Sequence, residues 1–529
     1  MLSKLKQAAW KQRSRLQFYS LLQRTGKGFD DLPARNTAVP KDASDITAAC
    51  ILDDFSYRAF QDEMHLIPVH EDTWQEAFRQ PIDMFFVEAF WRGTGGSWRG
   101  IAYDYNVKER ELLKRIVRWC RQGGIPTVFW NKEDPVHFDE FIDIAVEFDH
   151  VLTTDAGCIE RYARRGKKAE VLRFAAQPSI HNPIELYPQR VDKVCFAGSY
   201  IRTYPQRMKD FDTMVDAIGE GGLDIYDRNL ERNDPRYAFP ERYAPLVKGI
   251  LKGDEIVRAY KGYRYGLNMN SVKDSETMLA RRVFELMASN TPVISNASRA
   301  IDRTFPGLIL ASDDAEAIRS GLGQLRGDEG AYRKRRAQAL RAVMSEHTYR
   351  DRAGEIAQTV FGIGTKNKLR PVRCVASGEG DDAVRQSFRS QSYQGKELAF
   401  FRDENELTGL LRESAAAGQL VSLLRPADHY GPHYLADMAL AFFYSDAAAV
   451  TKLSHFRSGE HLVGDGQQYR WVEQAGPAVM VDPTRLSVED AIGLLARGVN
   501  KTGVKCLSVD EFNYVEDLPA KDDVPYSDE

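Results

Sequence analysis

The sequence predicts an α/β protein built on parallel sheets, and three observations carry the prediction. From residue 46 to residue 361, short apolar runs alternate with stretches of helical period. Parallel strands leave that pattern because each pair needs a long, usually helical, crossover. Two of the runs lead straight into glycine-bearing turns: MFFV at 84–87 into WRGTGGSWRG at 91–100, and VCFA at 194–197 into Gly198-Ser199-Tyr200. The length, 529 residues, has room for three or four domains of ordinary size.

Taken in order, residues 1–45 read as a basic N-terminal helix followed by a polar, Asp- and Pro-bearing linker over 30–45. A first α/β domain spans 46–185, with strands at 46–53 (ITAACILD), 84–87, 126–130 (PTVFW), 150–153 and 171–174. Its helix over about 107–121 puts Leu112, Leu113, Ile116, Val117 and Cys120 on one face, and Gly123-Gly124 stops it. A second α/β domain spans 186–364, with strands at 194–197, 223–226, 265–269 and 292–295, closed by helices over about 315–325 and 331–361. After a short basic linker (TKNKLR), residues 371–529 form a third unit. It has strands at 372–376 and 397–401 and a helix from 382 to about 392.

Composition excludes several classes of protein. With 43% apolar and 28% charged residues the chain is an ordinary globular mix, and a net charge of −4 gives no reason to expect a nucleic-acid partner. The six cysteines are scattered without a CxxC pair, which suits reduced thiols in a cytoplasm rather than disulfides or a zinc site. No apolar run approaches the roughly 20 residues that span a bilayer. In the first 27 residues seven Lys and Arg precede the first acid, Asp30, and alternate with Leu, Trp, Phe and Tyr. Such a helix either packs on the body with a solvated basic face or lies on the anionic inner face of a membrane, each basic group contributing about 1 kcal/mol.

The most informative segment is 270–298, NSVKDSETMLARRVFELMASNTPVISNAS. It follows a strand and reads as a polar loop opening into a helix at about Thr277 that ends at Ser289-Asn290. A helix N-terminus at the carboxyl end of a parallel strand favours an anion, because free N–H groups and the dipole both point at it. Asn270, Ser275 as the cap, Thr277 and Met278 are the candidate contacts to a diphosphate, and Arg282 adds a bidentate charge. Glu285 lies three residues beyond Arg282 and shares its face. A carboxylate there can accept both hydroxyls of a ribose. The same spacing also fits a plain surface Arg/Glu pair, worth a few tenths of a kcal/mol.

The stretch RVFELMASNTPV at 282–293 resembles the glutamate-bearing donor motif (E-x-M-A-x-G-x-P-V) of GT-B glycosyltransferases, and more narrowly that of their CgeB-like (spore maturation protein-like) branch. The stretches ILDDF at 51–55, FVEAFWRGTGGSW at 86–98, WNKEDPVH at 130–137 and FAGSY at 196–200 resemble the same family, in the same order. The resemblance implies two Rossmann-like domains facing across a cleft, the acceptor on the first and the donor nucleotide on the second. It implies a UDP- or GDP-sugar donor, no metal at that site, and a surface-polysaccharide or lipid-linked glycan as acceptor. Carried over, Glu285 would hold the ribose and Arg282 the phosphates, with Gly198, Ser199 and Tyr200 where the backbone approaches the donor. Thr277 stands where retaining relatives often carry a second glutamate, with Glu276 adjacent, so retention or inversion stays open. Asn290 replaces the usual glycine before T-P-V. An inverting reaction needs a base. Glu88, at the end of a strand, is the first candidate and Glu133 the second; each also reads as a loop ion pair, and His137 as a loop histidine.

The stretch LVSLLRPADHYG at 420–431 resembles a shortened GT-A domain of the family-2 type, whose D-x-D holds a divalent metal and the donor diphosphate. Only Asp428 matches, so a catalytically idle domain is expected, with a metal only if Asp428 is active. Support, homo-oligomerisation or acceptor binding are the roles implied. His429 and His433 are four apart, but Gly431-Pro432 between them breaks a helix. Two other readings remain: a bifunctional enzyme using both sites, or a non-catalytic glycan-binding scaffold with a vestigial donor pocket.

Overall fold

The structure is a computed structural model that describes residues 29–518, apart from 30, 32, 37, 104, 105, 233, 254, 365–367, 379, 458, 459 and 498–502. The basic helix expected over the first 27 residues lies outside the described residues.

The first domain holds β1 (Thr47–Ile51), β2 (His65–Pro68), β3 (Met84–Glu88), β4 (Thr127–Asn131), β5 (His150–Thr153) and β6 (Ala169–Val171). They form one sheet in the order β2-β1-β3-β4-β5-β6, every pair parallel. β3 and β4 are buried on both faces, which is why they read as uninterrupted apolar runs. β2 escaped the sequence reading because it is an edge strand, half exposed and ended by proline.

The second domain repeats the plan with β7 (Val191–Gly198), β8 (Leu223–Asp227), β9 (Val247–Gly249), β10 (Tyr263–Asn268), β11 (Val293–Ser295) and β12 (Leu310–Ala311). Their order is β12-β11-β10-β7-β8-β9, again all parallel. The single helix expected over 331–361 is two, Glu329–Glu346 and Tyr349–Phe361. Thr348 turns extended between them and starts the second with a capping box to Asp351. That last helix returns to the first domain: Tyr349 N–H donates to the Ala176 carbonyl at 2.9 Å, and the Tyr349 ring meets Phe60 at 4.9 Å.

The two domains also touch where the loops after β5 and β10 meet. Thr277 Oγ1 accepts the N–H of Ala156 at 2.8 Å and donates to the carbonyl of Thr154 at 3.0 Å. Ser275 Oγ donates to Asp155 Oδ1 at 2.6 Å. Three hydrogen bonds thus latch one side of the cleft.

The third unit holds β13 (Val372–Ser377), β14 (Lys396–Phe401), β15 (Leu420–Leu423), β16 (His429–Tyr430), β17 (Ala449–Lys452), β18 (His455–Arg457), β19 (Glu460–Val463), β20 (Arg470–Val472), β21 (Ala478–Val481), β22 (Cys506–Ser508) and β23 (Tyr514–Glu516). A mixed sheet runs β14-β13-β15-β21-β17-β22-β20, and a small one runs β16-β23-β18-β19. The unit docks on the second domain through Arg341, whose guanidinium grips Asp437 at 2.7 and 2.8 Å.

The latch yields an expected outcome. Thr277→Val should leave the Ala156 N–H without its acceptor and lower unfolding free energy by about 1–3 kcal/mol in denaturant titrations, while Thr277→Ser should retain most of it.

Candidate functional site

β7 ends in Ala197-Gly198-Ser199, and each of those three carbonyls accepts a hydrogen bond from an arginine residue. Arg282 Nη2 donates to Ala197 at 2.6 Å, the Arg228 backbone N–H to Gly198 at 3.0 Å, and Arg207 Nη1 to Ser199 at 2.9 Å. Three elements deliver them: Arg207 lies on the helix Pro205–Ile218, Arg228 directly follows β8, and Arg282 lies on the helix Arg281–Ala288. A Cβ at 198 would sit 2.6 Å from Phe196 Cζ and 3.0 Å from Arg282 Nη2, so a larger residue there would have to displace those side chains.

The arginines repel one another. Burial first, then Arg282, pulls the Arg207 guanidinium down to about 10. Arg228 is lowered by its enclosure first and then by Arg281 and Arg282, with Glu133 opposing, although much of its side chain is open to solvent. The Nε–H groups of Arg207 and Arg282 are buried without a partner among the described residues. A dense positive site with unmet donors is what an anion stabilises.

Glu285 sits beside this cluster with 6% of its surface exposed. Its Oε2 accepts from the Tyr260 hydroxyl at 3.1 Å, and its Oε1 lies 3.3 Å from Arg281 Nη1 and 3.9 Å from His181 Nε2. Burial pushes its pKa up, but Arg281, His181 and Arg282 outweigh that and hold it below the usual value, so it is ionised at neutral pH. The partner of Glu285 is therefore Arg281, while Arg282, which the sequence places on the same face, is bonded elsewhere. Arg281 and Arg282 both lie within one turn of Glu285, but Arg282 is drawn to the Ala197 carbonyl of β7, which leaves Arg281 as the partner; the helix itself starts at Arg281 with Ala280 as N-cap, four residues after Thr277.

The other expected donor contacts are mostly occupied. Ser275 Oγ accepts the N–H groups of Thr277 (3.3 Å) and Met278 (2.9 Å), and Ser275 and Thr277 both serve the interdomain latch. These three residues do not open a helix, and the N–H groups of Thr277 and Met278 are already taken. Asn270 braces its loop, with N–H to Asn296 Oδ1 at 2.8 Å and Nδ2 to Ser295 Oγ at 3.0 Å. Tyr200 is 4% exposed and packs against Phe211 and Phe239 in the core, not in the cleft. Ser199 Oγ accepts from Asn229 Nδ2 at 2.8 Å. Glu276 is spent on surface pairs with Arg299 and Arg303.

Across the cleft, Phe55 follows β1 and carries two cations on its ring: the Arg281 guanidinium at 4.2 Å and the Lys132 ammonium at 4.1 Å. Lys132 Nζ bonds Glu88 Oε1 at 2.7 Å and Asp53 Oδ2 at 2.9 Å. Glu88 is fully buried, and burial, against Lys132, raises its pKa to about 7. It is a holder of Lys132 rather than an open carboxylate. Glu133, at the end of β4, is half-buried and acts on Arg228 from the opposite domain. His137 meets Trp91 edge-on at 4.9 Å and Glu140 at 3.2 Å, as a loop residue.

In the third unit, Asp428 is buried and its Oδ2 accepts from the Tyr514 hydroxyl at 2.8 Å, while Oδ1 accepts the Asp517 N–H at 3.2 Å. Both carboxylate oxygens of Asp428 are thus taken by protein donors, and among the described residues there is no group of three or more His, Cys, Asp or Glu that could hold a metal. His433 Nδ1 is 3.0 Å from Ser392 Oγ, and His429 is lowered by burial.

Residues 230–358 match the family model described as glycosyl transferase-like. No curated protein matches this chain. Sucrose-phosphate synthase from Thermosynechococcus elongatus is similar over 53% of this chain and 73% of its own, at 13% identity and TM-score 0.37. T4 phage BGT in complex with its UDP-glucose substrate is similar over 59% and 97%, at 10% identity and TM-score 0.36. An alpha1,3-fucosyltransferase is similar over 57% and 84%, at 12% identity and TM-score 0.30. Scores this low carry no assignment of donor or acceptor. The two parallel-sheet, Rossmann-like domains are those expected of the GT-B architecture, and with the family match they define a transferase of the glycosyltransferase kind.

Glu88 gives a pH test. Its folded pKa of about 7 lies above the ordinary 4.5, so its protonated form favours the fold: its contribution is full below about pH 4.5 and is lost as pH rises to about 7. Across that window the unfolding free energy of the wild type minus that of Glu88→Gln should fall with rising pH.

Proposed function

We propose that this chain transfers a sugar from a UDP- or GDP-sugar to a surface-polysaccharide or lipid-linked glycan acceptor, as a CgeB-like GT-B enzyme of cell-envelope polysaccharide synthesis. The observation that carries the reading is the convergence of Arg207, Arg228 and Arg282 on the end of β7 beside the ionised Glu285. The donor diphosphate lies against the guanidiniums, and its ribose hydroxyls reach Glu285 along the Arg281 side chain, which is one-third exposed. Fixed positive charge then stabilises the departing nucleoside diphosphate as the bond to the sugar breaks.

In an inverting reaction Glu133 is the better-placed base. It is reachable from the cleft, whereas Glu88 is enclosed with Lys132. It would take the proton of the acceptor hydroxyl as that oxygen bonds the anomeric carbon. The third unit serves as support, with homo-oligomerisation and glycan binding as further roles. Peripheral contact with the inner membrane face belongs to the first 27 residues; no helix among the described residues is long and apolar enough to cross a membrane. A second active site at Asp428 is disfavoured by its enclosure among tyrosines. A vestigial donor pocket is disfavoured by the intact arginine cluster.

The test is a thermal-shift screen of nucleoside diphosphates. A ligand at about 100 times its dissociation constant should stabilise the wild type by about 2.7 kcal/mol and raise its melting temperature. Glu285→Ala should lose most of that shift. Equal shifts in both proteins, or none in the wild type, would sink the donor-site reading.

A further inference from the structure

Arg228 lies between two residues, Asp227 and Asn229, that line a cavity of about 730 Å3 in the second domain. The cavity rim is tied to the arginine-lined end of β7, through Asn229 Nδ2 to Ser199 Oγ and the Arg228 N–H to the Gly198 carbonyl. Its walls are mostly apolar, with Leu230, Phe239, Pro240 and Val247 among them; of its other charged lining residues Asp234 is paired with Arg236, and Glu241 and Lys248 are exposed to solvent. At its edge Asp227, the last residue of β8, is only 4% exposed. Its Oδ1 accepts the Asn229 N–H at 2.8 Å, and its Oδ2 has no hydrogen-bond partner among the described residues.

A transferred sugar would bring a hydroxyl on nearly every carbon, and apolar walls leave those groups unpaired at a cost of about 1–3 kcal/mol each. A flat base suits such a slot, with its faces on the walls and its polar edge on the few polar groups. The edge that an enclosed carboxylate accepts is one with two adjacent N–H donors. Guanine offers N1–H and the 2-amino group side by side. Uracil offers a single N3–H flanked by two carbonyl oxygens, which a carboxylate repels. Each carboxylate oxygen accepts more than one hydrogen bond, so the Asn229 contact does not prevent bidentate pairing.

We infer that this cavity takes the donor's base and that Asp227 selects guanine over uracil, so the donor is a GDP-sugar. The inference rests on the donor-site reading and narrows it. Asp227→Asn keeps an oxygen for the Asn229 N–H but exchanges the second acceptor for a donor, the pattern that complements xanthine, with N1–H beside a 2-carbonyl, instead of guanine.

Calorimetric titration of wild type and Asp227→Asn with GDP, IDP, UDP and XDP tests it. The wild type should bind GDP at least about 10-fold tighter than UDP, with IDP, which lacks the 2-amino group, in between. Asp227→Asn should weaken GDP by about 10-fold or more and bind XDP in preference to GDP. The wild-type ratios stand whether or not the variant folds. UDP bound as tightly as GDP, or an unchanged ratio in a folded Asp227→Asn, would overturn the base assignment; an unchanged ratio with altered affinity for the sugar nucleotide would assign the cavity to the sugar. If UDP wins while Glu285→Ala still weakens it, only the base assignment falls. If no nucleoside diphosphate binds, the donor site falls with it.

Discussion

Arginines 207, 228, 281 and 282 are held close together at the cleft, and the repulsion that Arg281 and Arg282 exert on Arg207 and Arg228 is the constraint around which the second domain is arranged. A guanidinium does not escape by losing its proton at neutral pH, so the charges must be offset in place. The offsets are modest: the Ala197 carbonyl on Arg282 and the Ser199 carbonyl on Arg207 at the end of β7, Glu285 on Arg281, and Glu133 facing Arg228 from the other domain. Positive charge exceeds what these groups balance. In the proposed function a bound diphosphate supplies the missing negative charge, and the same excess disperses the charge that develops on a leaving diphosphate.

Such a cluster works only if the helix carrying Arg281, Arg282 and Glu285 stays fixed, and it is held at both ends. At the start, Arg282 is tied to β7 and Arg281 stacks on Phe55 of the first domain. At the end, Arg190 donates to the carbonyls of Ser289 and Asn290, both at 3.1 Å, and Arg336 Nε to that of Asn290 at 2.9 Å. Arg190 and Arg336 share Glu185, whose backbone N–H donates to the Tyr469 carbonyl of the third unit at 2.9 Å. The third unit thus buttresses the donor helix through the crossover between the domains. Buried pairs of this kind are costly to break on one side only, because the remaining charge is stranded.

The alternation of apolar runs and helical periods made the two parallel sheets legible, because strands buried on both faces announce themselves as unbroken apolar stretches. Glu285 and Arg282 were legible as a local pattern. Their relation was not, because Arg281 and Arg282 both lie within a turn of Glu285 and only the distant β7 carbonyl decides which one turns away; the late helix start was hidden too, because Ser275 and Thr277 are taken up by the loop after β5, 120 residues back along the chain. Arg207, Arg228 and Lys132 carry no local signature at all; only the crossing of three or four distant elements brings them together. The Arg281-Arg282 doublet was the one available signal that two cations, not one, face the helix start. Glu88 failed as an open carboxylate because the strand end that presents it also buries it under Lys132.

Diffraction from crystals grown with a nucleoside diphosphate is the most direct measurement of the charge argument. The phosphorus atoms are expected within hydrogen-bonding reach of Arg207, Arg228 and Arg282, with the ribose hydroxyls on Glu285. Nucleotide density elsewhere, with the end of β7 unchanged and filled only by solvent, would contradict it.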